Sequence, residues 1–413
     1  MRFLKFLALT LVVALGFSSC KPDGGDGHNH SSDLAGTWTC LTENYAEALI
    51  INADGTAVSY GVENGEYWEN VRGTVVTDGD NNITMTFEDN DNLTGHFDII
   101  PGQSFSLFED SGERYTYQYC SNDLADEIVG MWVCNDFTTD GEADMMIETF
   151  YENGKSTLTG FLPMGDNNEQ ILDGATDYKV VGDLLIITIP AEKNDGKSPL
   201  YVANKLIYTP DGTAHGDILT MKTFPQVDGE YVEATSSWLR IKQTLDLTGT
   251  YDYISAYVSN AKGTDENFTI LGYTFNMANI EGGNFDMLFR SKLFCVDLNA
   301  NSIKQHFLTN GSDIEIEIPM TVEGNKVTLD LSAENPAYRK VDMYMFQDQD
   351  NTQLHMYMHT TDFINYFANM ELYNLLASGE ITPDNTAAIE NVFTDMEARI
   401  ESINVSFVFK ARK

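Results

Sequence analysis

Apolar and polar residues alternate along most of the chain, in short runs separated by turn residues. The runs AEALIIN and TAVSY flank Ala53-Asp54-Gly55, and ETFYENGKSTLTG carries Asn153-Gly154 between two others. A period of two is typical of β-strands, and Asp-Gly and Asn-Gly between such runs are strong hairpin signals. Because the runs follow one another without the helices of βαβ units, the pattern predicts antiparallel meanders that form sandwiches or barrels.

A short opening motif occurs three times, each time before a long β-rich stretch. It consists of an acidic residue, an aliphatic residue, any residue, glycine, any residue and a large aromatic residue. The three glycines are 94 and 119 residues apart, which is the spacing of domains rather than of solenoid repeats. We therefore predict domains over 34–122, 123–244 and 245–413. The glycine and aromatic positions are Gly36 and Trp38, Gly130 and Trp132, and Gly249 and Tyr251.

A Gly-x-Trp motif that opens a meander of about eight strands resembles the lipocalin-like (calycin-type) barrel. The resemblance implies a mainly β protein of three tandem antiparallel lipocalin-like barrels; three unrelated β-sandwiches are the alternative. In that family the tryptophan plugs one end of the barrel, and a basic residue of the last strand packs across it. By resemblance these roles fall to Trp132 and Arg240 in the second domain. The corresponding candidates are Trp38 with Arg114, and Tyr251 with Lys410 or Arg412.

The hydrophobic period changes from two to the helical period near the C-terminus. Apolar residues recur at helical spacing from Asp362 to Ala377, with Thr361 as a candidate N-cap and Gly379 beyond the end. A second helical stretch opens with Pro383 at its first position, and alternation returns after it. The pattern predicts a helical hairpin over 361–400, inserted before the last strand of the third barrel.

Two neighbouring runs of the third domain, VDMYMF and LHMYMH, place methionines on shared strand faces. These methionines either fill the core, line a plastic apolar cavity, or offer thioethers to a soft metal ion. If the protein has a small-molecule site, we expect it here, between the methionines and the helical hairpin. The candidate ligand-binding residues are Met343, Met345, Met356, Met358, Phe363, Phe367 and Phe393.

The first 19 residues have the layout of a secretory signal peptide, with Arg2 and Lys5 before an apolar run. Cys20 follows two serines, and this junction resembles a bacterial lipobox. The resemblance implies cleavage before Cys20, lipid on that cysteine, and a flexible tether over 20–33. Since Lys21 follows instead of aspartate, lipoprotein sorting rules imply the outer membrane, with a periplasmic or cell-surface face. An ordinary signal peptide with a chance cysteine is the alternative.

The chain is strongly acidic, with 63 Asp and Glu against 24 Lys and Arg and a net charge of −39. Loss of Arg2 and Lys5 with the signal peptide takes the charge to −41, which excludes nucleic acid and anionic headgroups as default partners. Aromatic residues make up 11% of the chain, enough for packed cores. The spacing of the cysteines fits no zinc or redox motif, and their pairing stays open. Besides Cys20 these are Cys40, Cys120, Cys134 and Cys295.

Sequence motifs for catalysis and cofactor binding are absent: there is no GxSxG, HExxH, P-loop or dinucleotide fingerprint in a suitable context. His28 and His30 of the tether lack a third ligand for a metal ion. His355 and His359 are about 13 Å apart on a strand and are expected on its solvent side with Tyr357. We predict a non-enzymatic envelope protein, without cofactor or metal, that binds a small apolar ligand, a glycan or an envelope protein. A structural or assembly protein with solid barrels as spacers is the alternative.

Overall fold

The computed structural model describes residues 31–78, 80–88, 92–135, 145–164, 168–171, 175–191, 198–213, 216–227, 230–264, 266–270, 273–280, 284–309, 312–332 and 335–412. Three closed antiparallel barrels of eight strands follow one another, and a helix pair precedes the last strand of the third. The predicted fold class is therefore confirmed. The signal peptide, Cys20, His28 and His30 lie outside the described residues.

The first barrel is a simple meander closed by pairing of its last strand with its first. Alternate side chains point inwards, so that Trp38, Leu49, Phe97, Phe105 and Tyr117 form its core. The strands are β1 (Gly36–Leu41), β2 (Tyr45–Ile51), β3 (Thr56–Glu63), β4 (Glu66–Thr77), β5 (Asn82–Phe87), β6 (Asn92–Ile100), β7 (Ser104–Glu109) and β8 (Arg114–Cys120).

The second barrel closes between its first and last strands, with a short strand, β12, added beside β11 and a small hairpin, β17–β18, outside the barrel. The strands are β9 (Gly130–Asn135), β10 (Met145–Phe150), β11 (Lys155–Met164), β12 (Asn168–Ile171), β13 (Ala175–Val181), β14 (Leu184–Ile189), β15 (Leu200–Thr213), β16 (Gly216–Thr223), β17 (Gln226–Val227), β18 (Glu230–Tyr231) and β19 (Ala234–Ile241).

The third barrel has longer first and last strands and carries the four α-helices of the described residues. Its elements are β20 (Gly249–Gly263), β21 (Phe268–Ile270), β22 (Tyr273–Phe275), α1 (Met277–Asn279), α2 (Phe285–Lys292), β23 (Leu293–Asn299), β24 (Ser302–Thr309), β25 (Ser312–Glu323), β26 (Lys326–Leu329), β27 (Val341–Gln347), β28 (Gln353–Met358), α3 (Thr360–Ser378), α4 (Thr386–Glu397) and β29 (Ile400–Ala411).

The helix boundaries differ from the expected ones by a few residues. Helix α3 begins at Thr360, with His359 and not Thr361 as its N-cap. Helix α4 begins after Asn385, whose side chain accepts a hydrogen bond from the backbone of Ala388 at 3.1 Å, so Pro383 precedes the helix. The Asn385 side chain satisfies a backbone N–H donor of the first helical turn, whereas proline at the first position would only remove one such donor. The asparagine cap therefore determines where α4 begins. No helix of the described residues is both long and apolar enough to cross a membrane.

The opening motifs of the three barrels each make the same kind of hydrogen bond, from the aromatic side chain to a preceding backbone carbonyl. The Trp38 indole donates to the carbonyl of Leu34, and the Trp132 indole donates to the carbonyl of Ile128, both at 2.7 Å. In the third barrel the hydroxyl of Tyr251 donates to a carbonyl five residues back, at 3.2 Å. Each aromatic ring is therefore buried while its polar atom binds the segment that leads into the first strand.

The glycines of the three motifs all have a positive φ, at 145° for Gly36, 138° for Gly130 and 120° for Gly249. Residues that carry a Cβ atom rarely adopt this backbone conformation. At Gly36 there is also no room, because a Cβ atom would lie 2.6 Å from the ring of Tyr119. The motif therefore needs glycine for its conformation, and at Gly36 for space as well.

The first and second barrels pack through the outer faces of their strands. Tyr67 and Tyr201 stack across the junction, with ring centroids 4.9 Å apart. Beside them the Lys205 ammonium lies 2.7 Å from Asp183, and the Thr39 hydroxyl donates to the same carboxylate at 2.6 Å. The apolar part of the junction consists of Ala46, Ala48, Val62, Val181, Leu184 and Ile186.

The second and third barrels pack in the same way, and this corrects one expectation from the sequence. His355 and Tyr357 point out of the third barrel as expected, but they are buried rather than solvent-exposed. The second barrel covers them, and His355 stacks on Phe346 at 4.4 Å. Burial also lowers the pKa of His359 to about 4. The shared apolar cluster consists of Val133, Ile147, Ile241, Phe346 and Tyr357.

Candidate binding site

The four methionines of the third barrel point into its interior. Strand pairing places Met345 opposite Met356, Met343 opposite Val327, and Met358 opposite Val405. The structure brings all predicted ligand-binding residues together, because the methionines and Phe363, Phe367 and Phe393 belong to one buried cluster. At this level of the barrel these side chains form packed core, which is the first of the three interpretations of the sequence pattern.

Two helices fill the end of the barrel opposite Tyr251. Strand β29 begins beside Gly263, at the end of β20, and finishes beside Tyr251. Helix α3, which leads through α4 into β29, therefore covers the end opposite Tyr251, where it meets α2. Phe285 of α2 and Phe367 of α3 meet there with ring centroids 5.9 Å apart. Phe289 of α2 packs on Phe407 of the last strand at 4.9 Å. The helices therefore supply core side chains that the strands alone do not.

A crevice of about 50 Å³ lies between α3 and strands β24 to β27. One buried polar pair contributes to its lining, since the Tyr366 hydroxyl donates to the side-chain oxygen of Gln305 at 2.8 Å. Burial raises the pKa of Tyr366, which keeps this hydroxyl protonated as a donor. Tyr373, 46% exposed, also lines it. The apolar lining consists of Ile316, Ile318, Leu329, Leu331, Val341 and Met370.

The size of the crevice limits what it can hold. A single water needs roughly 10–15 Å³ of such space, whereas pockets for whole small ligands are commonly about 300–1,000 Å³. The crevice therefore fits a short apolar group and not an entire lipid or oligosaccharide.

Arg339 holds α3 and α4 against the barrel. Its backbone N–H donates to the Asn369 side chain at 3.0 Å, and its carbonyl accepts from the same amide at 2.6 Å. Its guanidinium contacts Glu390 at 2.8 Å and Glu397 at 2.6 Å and lies 4.1 Å from the ring centroid of Phe393. One residue of the segment between β26 and β27 thus contacts both helices, through exposed ion pairs that are individually weak beside the buried core contacts of the helices.

A buried carboxyl lies near the start of α3. Burial raises the pKa of Asp362 to about 6, although the carboxylate accepts the backbone N–H of Asp342 at 2.7 Å. Asp342 in turn lies 2.8 Å from Lys326. A carboxyl with a raised pKa therefore lies at the helix-covered end of the barrel.

The basic residues that the lipocalin resemblance pairs with the opening aromatics lie in three different arrangements. In the second barrel the Arg240 guanidinium lies 4.4 Å from the Trp132 ring centroid and contacts Asp217 at 3.2 Å. It also donates to the carbonyls of Glu127 and, at 3.1 Å, Val129. It therefore joins the last strand to the opening segment.

In the other two barrels a different side chain meets the opening aromatic residue. Arg114 lies over Phe108, 4.8 Å from its centroid, and Tyr119 packs on Trp38 at 5.1 Å. In the third barrel Arg412 binds Asp252. The Tyr251 hydroxyl there accepts from the Gln347 amide at 2.8 Å, and Lys410 pairs with Asp252 in strand register.

One buried polar cluster of the first barrel was missed by the sequence analysis. The Glu47 carboxylate faces the interior and accepts hydrogen bonds from Tyr45 and Ser59, each at 2.5 Å, and from Tyr117. The Trp68 indole donates to Ser59 at 2.7 Å. The alternation itself could have revealed it, since a glutamate in YAEALII shares its strand face with the inward-pointing aliphatic residues.

The Gln305–Tyr366 pair was also missed. Gln305 alternates with Ile303 and Phe307 and therefore points inwards, but its partner lies 61 residues further on, in α3. Such a contact depends on where the helix docks, for which the local sequence carries no signal.

The chain matches no protein-family model, and no curated protein shows significant similarity to it. Among solved structures it is similar to intact Ap-TbpB, with its N and C lobes, at 10% identity and a TM-score of 0.18, over 89% of this chain and 66% of that one. It is also similar to a protein assigned as a DNA polymerase III beta subunit from Eubacterium rectale ATCC 33656, at 11% identity and a TM-score of 0.11, over 77% and 89%. The chain thus spans just under two thirds of Ap-TbpB, and TM-scores this low carry no argument about function.

Proposed function

We propose that this protein is a non-enzymatic, lipid-anchored protein of the bacterial outer membrane that binds a short apolar group in the crevice of its third barrel. The crevice supports the proposal because an apolar wall with a few polar groups is typical of small-molecule sites. A glycan fits less well, since its hydroxyls would lose their hydrogen bonds to water against this wall. The group is either the end of a small apolar ligand or an apolar side chain of a partner protein.

The absence of enzymatic activity is part of the proposal. Burial raises the pKa of the Cys40 thiol to about 12 and that of Cys120 to about 11, so both are poor nucleophiles at neutral pH. Tyr366 at the crevice keeps its proton, and its hydroxyl is engaged with Gln305. These groups suit binding better than general acid–base or covalent chemistry.

The anchor is supported by the sequence of the first 33 residues. Two or three acyl chains on Cys20 give stable membrane attachment, where one chain gives marginal attachment. We expect the mature N-terminus to carry lipid in mass spectrometry, and Cys20→Ser to release the protein from membranes. An unmodified N-terminus in the membrane fraction would contradict the anchor without affecting the crevice.

The binding site is tested with a neutral apolar fluorophore, 1-N-phenylnaphthylamine, titrated into the purified protein. We expect saturable binding in the wild type and at least tenfold weaker binding in Met370→Trp, which fills the crevice. Met287→Trp is the matched control, because Met287 lies on α2, is 63% exposed and does not line the crevice. Equal affinity in both variants would remove the crevice as the site.

A structural spacer is the second candidate function, and the packing between barrels favours it. The stacked Tyr67 and Tyr201 and the apolar cluster around Phe346 fix each barrel against the next. A protein of this kind needs no ligand. Absence of saturable binding by the wild type, together with small-angle X-ray scattering that fits one rigid arrangement of barrels, would favour the spacer.

A further inference from the structure

A histidine and two carboxylates meet on the outer face of the third barrel. Pairing of β24 with β25 places Glu315 directly opposite His306 and Asp313 two positions further along the same face. The side-chain atoms of the three residues that could bind a metal ion lie within 4.8 Å of one another. The hairpin register therefore gathers three metal-binding residue types at one point.

His306 is oriented by a fourth residue, Asp297, on the neighbouring strand β23. Its Nε2 atom lies 2.8 Å from the Asp297 carboxylate, which also accepts the Thr250 hydroxyl at 2.5 Å. Because a carboxylate only accepts hydrogen bonds, Nε2 is the nitrogen that donates to Asp297, and Nδ1 is the nitrogen that faces Asp313 and Glu315.

The free Nδ1 atom points at the two carboxylates without a hydrogen bond to either. His306 is only 9% exposed, and its Nδ1 atom lies 3.7 Å from Glu315 Oε1 and 3.8 Å from Asp313 Oδ2. Ligands of a tetrahedral zinc ion, with Zn–N and Zn–O distances near 2.1 Å, are about 3.4 Å apart. The side chains of Asp313 and Glu315 are 51% and 54% exposed, so a small rotation of each can close the difference.

We propose that His306, Asp313 and Glu315 bind a divalent transition-metal ion, with zinc the best fit, and that Asp297 orients the histidine as a second-sphere carboxylate. Imidazole nitrogen and carboxylate oxygen are both zinc ligands, whereas calcium and magnesium prefer sites made of oxygen alone. A carboxylate on the distal nitrogen is the usual support of a metal-bound histidine.

Lys304 is the nearest cation and does not occupy the same position. Its ammonium lies 3.3 Å from Oε2 of Glu315, whereas Oε1 faces His306. The metal and Lys304 can therefore share this carboxylate through different oxygens. Because both carboxylates are about half exposed, the fourth coordination position faces solvent, where water or a group of a partner can bind.

A doubly protonated His306, held between the carboxylates, is the competing explanation. It needs no metal, and it makes the opposite prediction for the Nδ1 atom, which would carry a proton instead of a metal ion. Nitrogen-15 NMR of the histidine side chains separates the two states, because zinc binding shifts Nδ1 of a neutral ring and leaves an imidazolium unchanged.

The direct test is calorimetric titration of zinc chloride into the purified protein. We use a His28→Ala/His30→Ala background, which removes the histidines of the tether, and expect one site with micromolar or tighter affinity. His306→Ala is expected to abolish binding, and Asp297→Asn to weaken it about 10- to 100-fold. His96→Ala is the matched control, because His96 is an exposed histidine 3.9 Å from an aspartate in the first barrel.

The double variant Asp313→Asn/Glu315→Gln is a second test that does not depend on the buried His306. It should remain folded, because both side chains are about half exposed. Loss of zinc binding in this variant, with unchanged circular dichroism, would support the site. The proposal is overturned if the wild type shows no saturable zinc binding, if His306→Ala binds zinc as the background does, or if NMR shows an imidazolium that zinc does not alter.

Discussion

The first and third barrels have the same number of strands and the same closure, yet their interiors are built differently. The interior of the first barrel includes a carboxylate, Glu47, that accepts hydrogen bonds from three hydroxyls. That of the third is an apolar core of methionine and phenylalanine, completed by Phe285 and Phe367 from two helices. An eight-stranded barrel leaves an interior just wide enough for side chains, so the two barrels show two ways to fill it.

The difference also explains where the crevice lies. In the first barrel the strands themselves supply the core side chains. In the third, the crevice lies where Tyr366 and Met370 of α3 face strands β24 to β27. Where a docked helix completes the core of a barrel, the boundary between helix and strands therefore provides a crevice that a ligand group can enter.

The largest effect is expected from Phe367→Ala in the third barrel. Phe367 is buried and contacts the rings of Phe285, Phe289 and Phe363, so its loss should destabilise the barrel by about 4 kcal/mol. All four tryptophans lie before residue 239, so hydrogen exchange by mass spectrometry is the suitable measurement for this barrel. Tyr373→Ala, on the same helix but exposed, should cost less than about 0.5 kcal/mol. Equal effects would show that α3 is not part of the core.

Glu47→Ala tests the polar interior of the first barrel. It leaves the hydroxyls of Tyr45, Ser59 and Tyr117 without their acceptor, and we expect a loss of about 3 kcal/mol. Glu47→Gln retains an acceptor and should lose less, and the exposed Glu43→Ala should lose almost nothing. Urea unfolding followed by tryptophan fluorescence measures all three. If Glu47→Gln is as damaging as Glu47→Ala, the charge and not the hydrogen bonding holds this interior together.

The second barrel extends the comparison through Arg240. We expect Arg240→Ala to cost about 2 kcal/mol, because it removes the contact with Trp132, the ion pair with Asp217 and two hydrogen bonds to carbonyls. Arg240→Lys should recover less than half, since an ammonium lacks the planar fork. Thermal unfolding followed by tryptophan fluorescence measures both. Full recovery of stability by lysine would show that only the positive charge of Arg240 matters.

The smallest effect, when it is taken over a single pH unit, concerns the titration of Glu148, the buried glutamate of the second barrel. Burial raises its pKa from 4.5 to about 8, and Ser156 offers only one hydrogen bond, in contrast to the three at Glu47. Between these pH values the folded protein holds one more proton than the unfolded chain. Stability should therefore fall as the pH rises from 4.5 to 8, by at most about 1.4 kcal/mol per pH unit, with no further fall above 8.

Glu148→Gln isolates this contribution from that of the other carboxylates. The difference in unfolding free energy between wild type and variant should change with pH only across this window. A difference that is independent of pH would mean that Glu148 is ionised in the folded barrel.

The periodicity of the sequence was sufficient for the strands, the repeated openings and the helix pair. The inward faces of Met343 and Met356 follow from alternation alone. Helix α2 was not predicted, because its eight residues are too few to show a period and are helical only when docked on the barrel. The burial of Tyr357 and the crevice beside Tyr366 depend on contacts between distant segments, which periodicity does not encode.

The pairing of first and last strands gives each barrel neighbouring ends. Thr37 lies opposite Cys120, Met131 opposite Ile241, and Tyr251 opposite Ala411, and such partners are about 5 Å apart. A unit that starts and ends at the same place can be duplicated, lost or enlarged during evolution without displacing its neighbours. The helices of the third barrel lie within such a unit, so new binding surfaces can be added to one barrel while the course of the chain through the others stays the same.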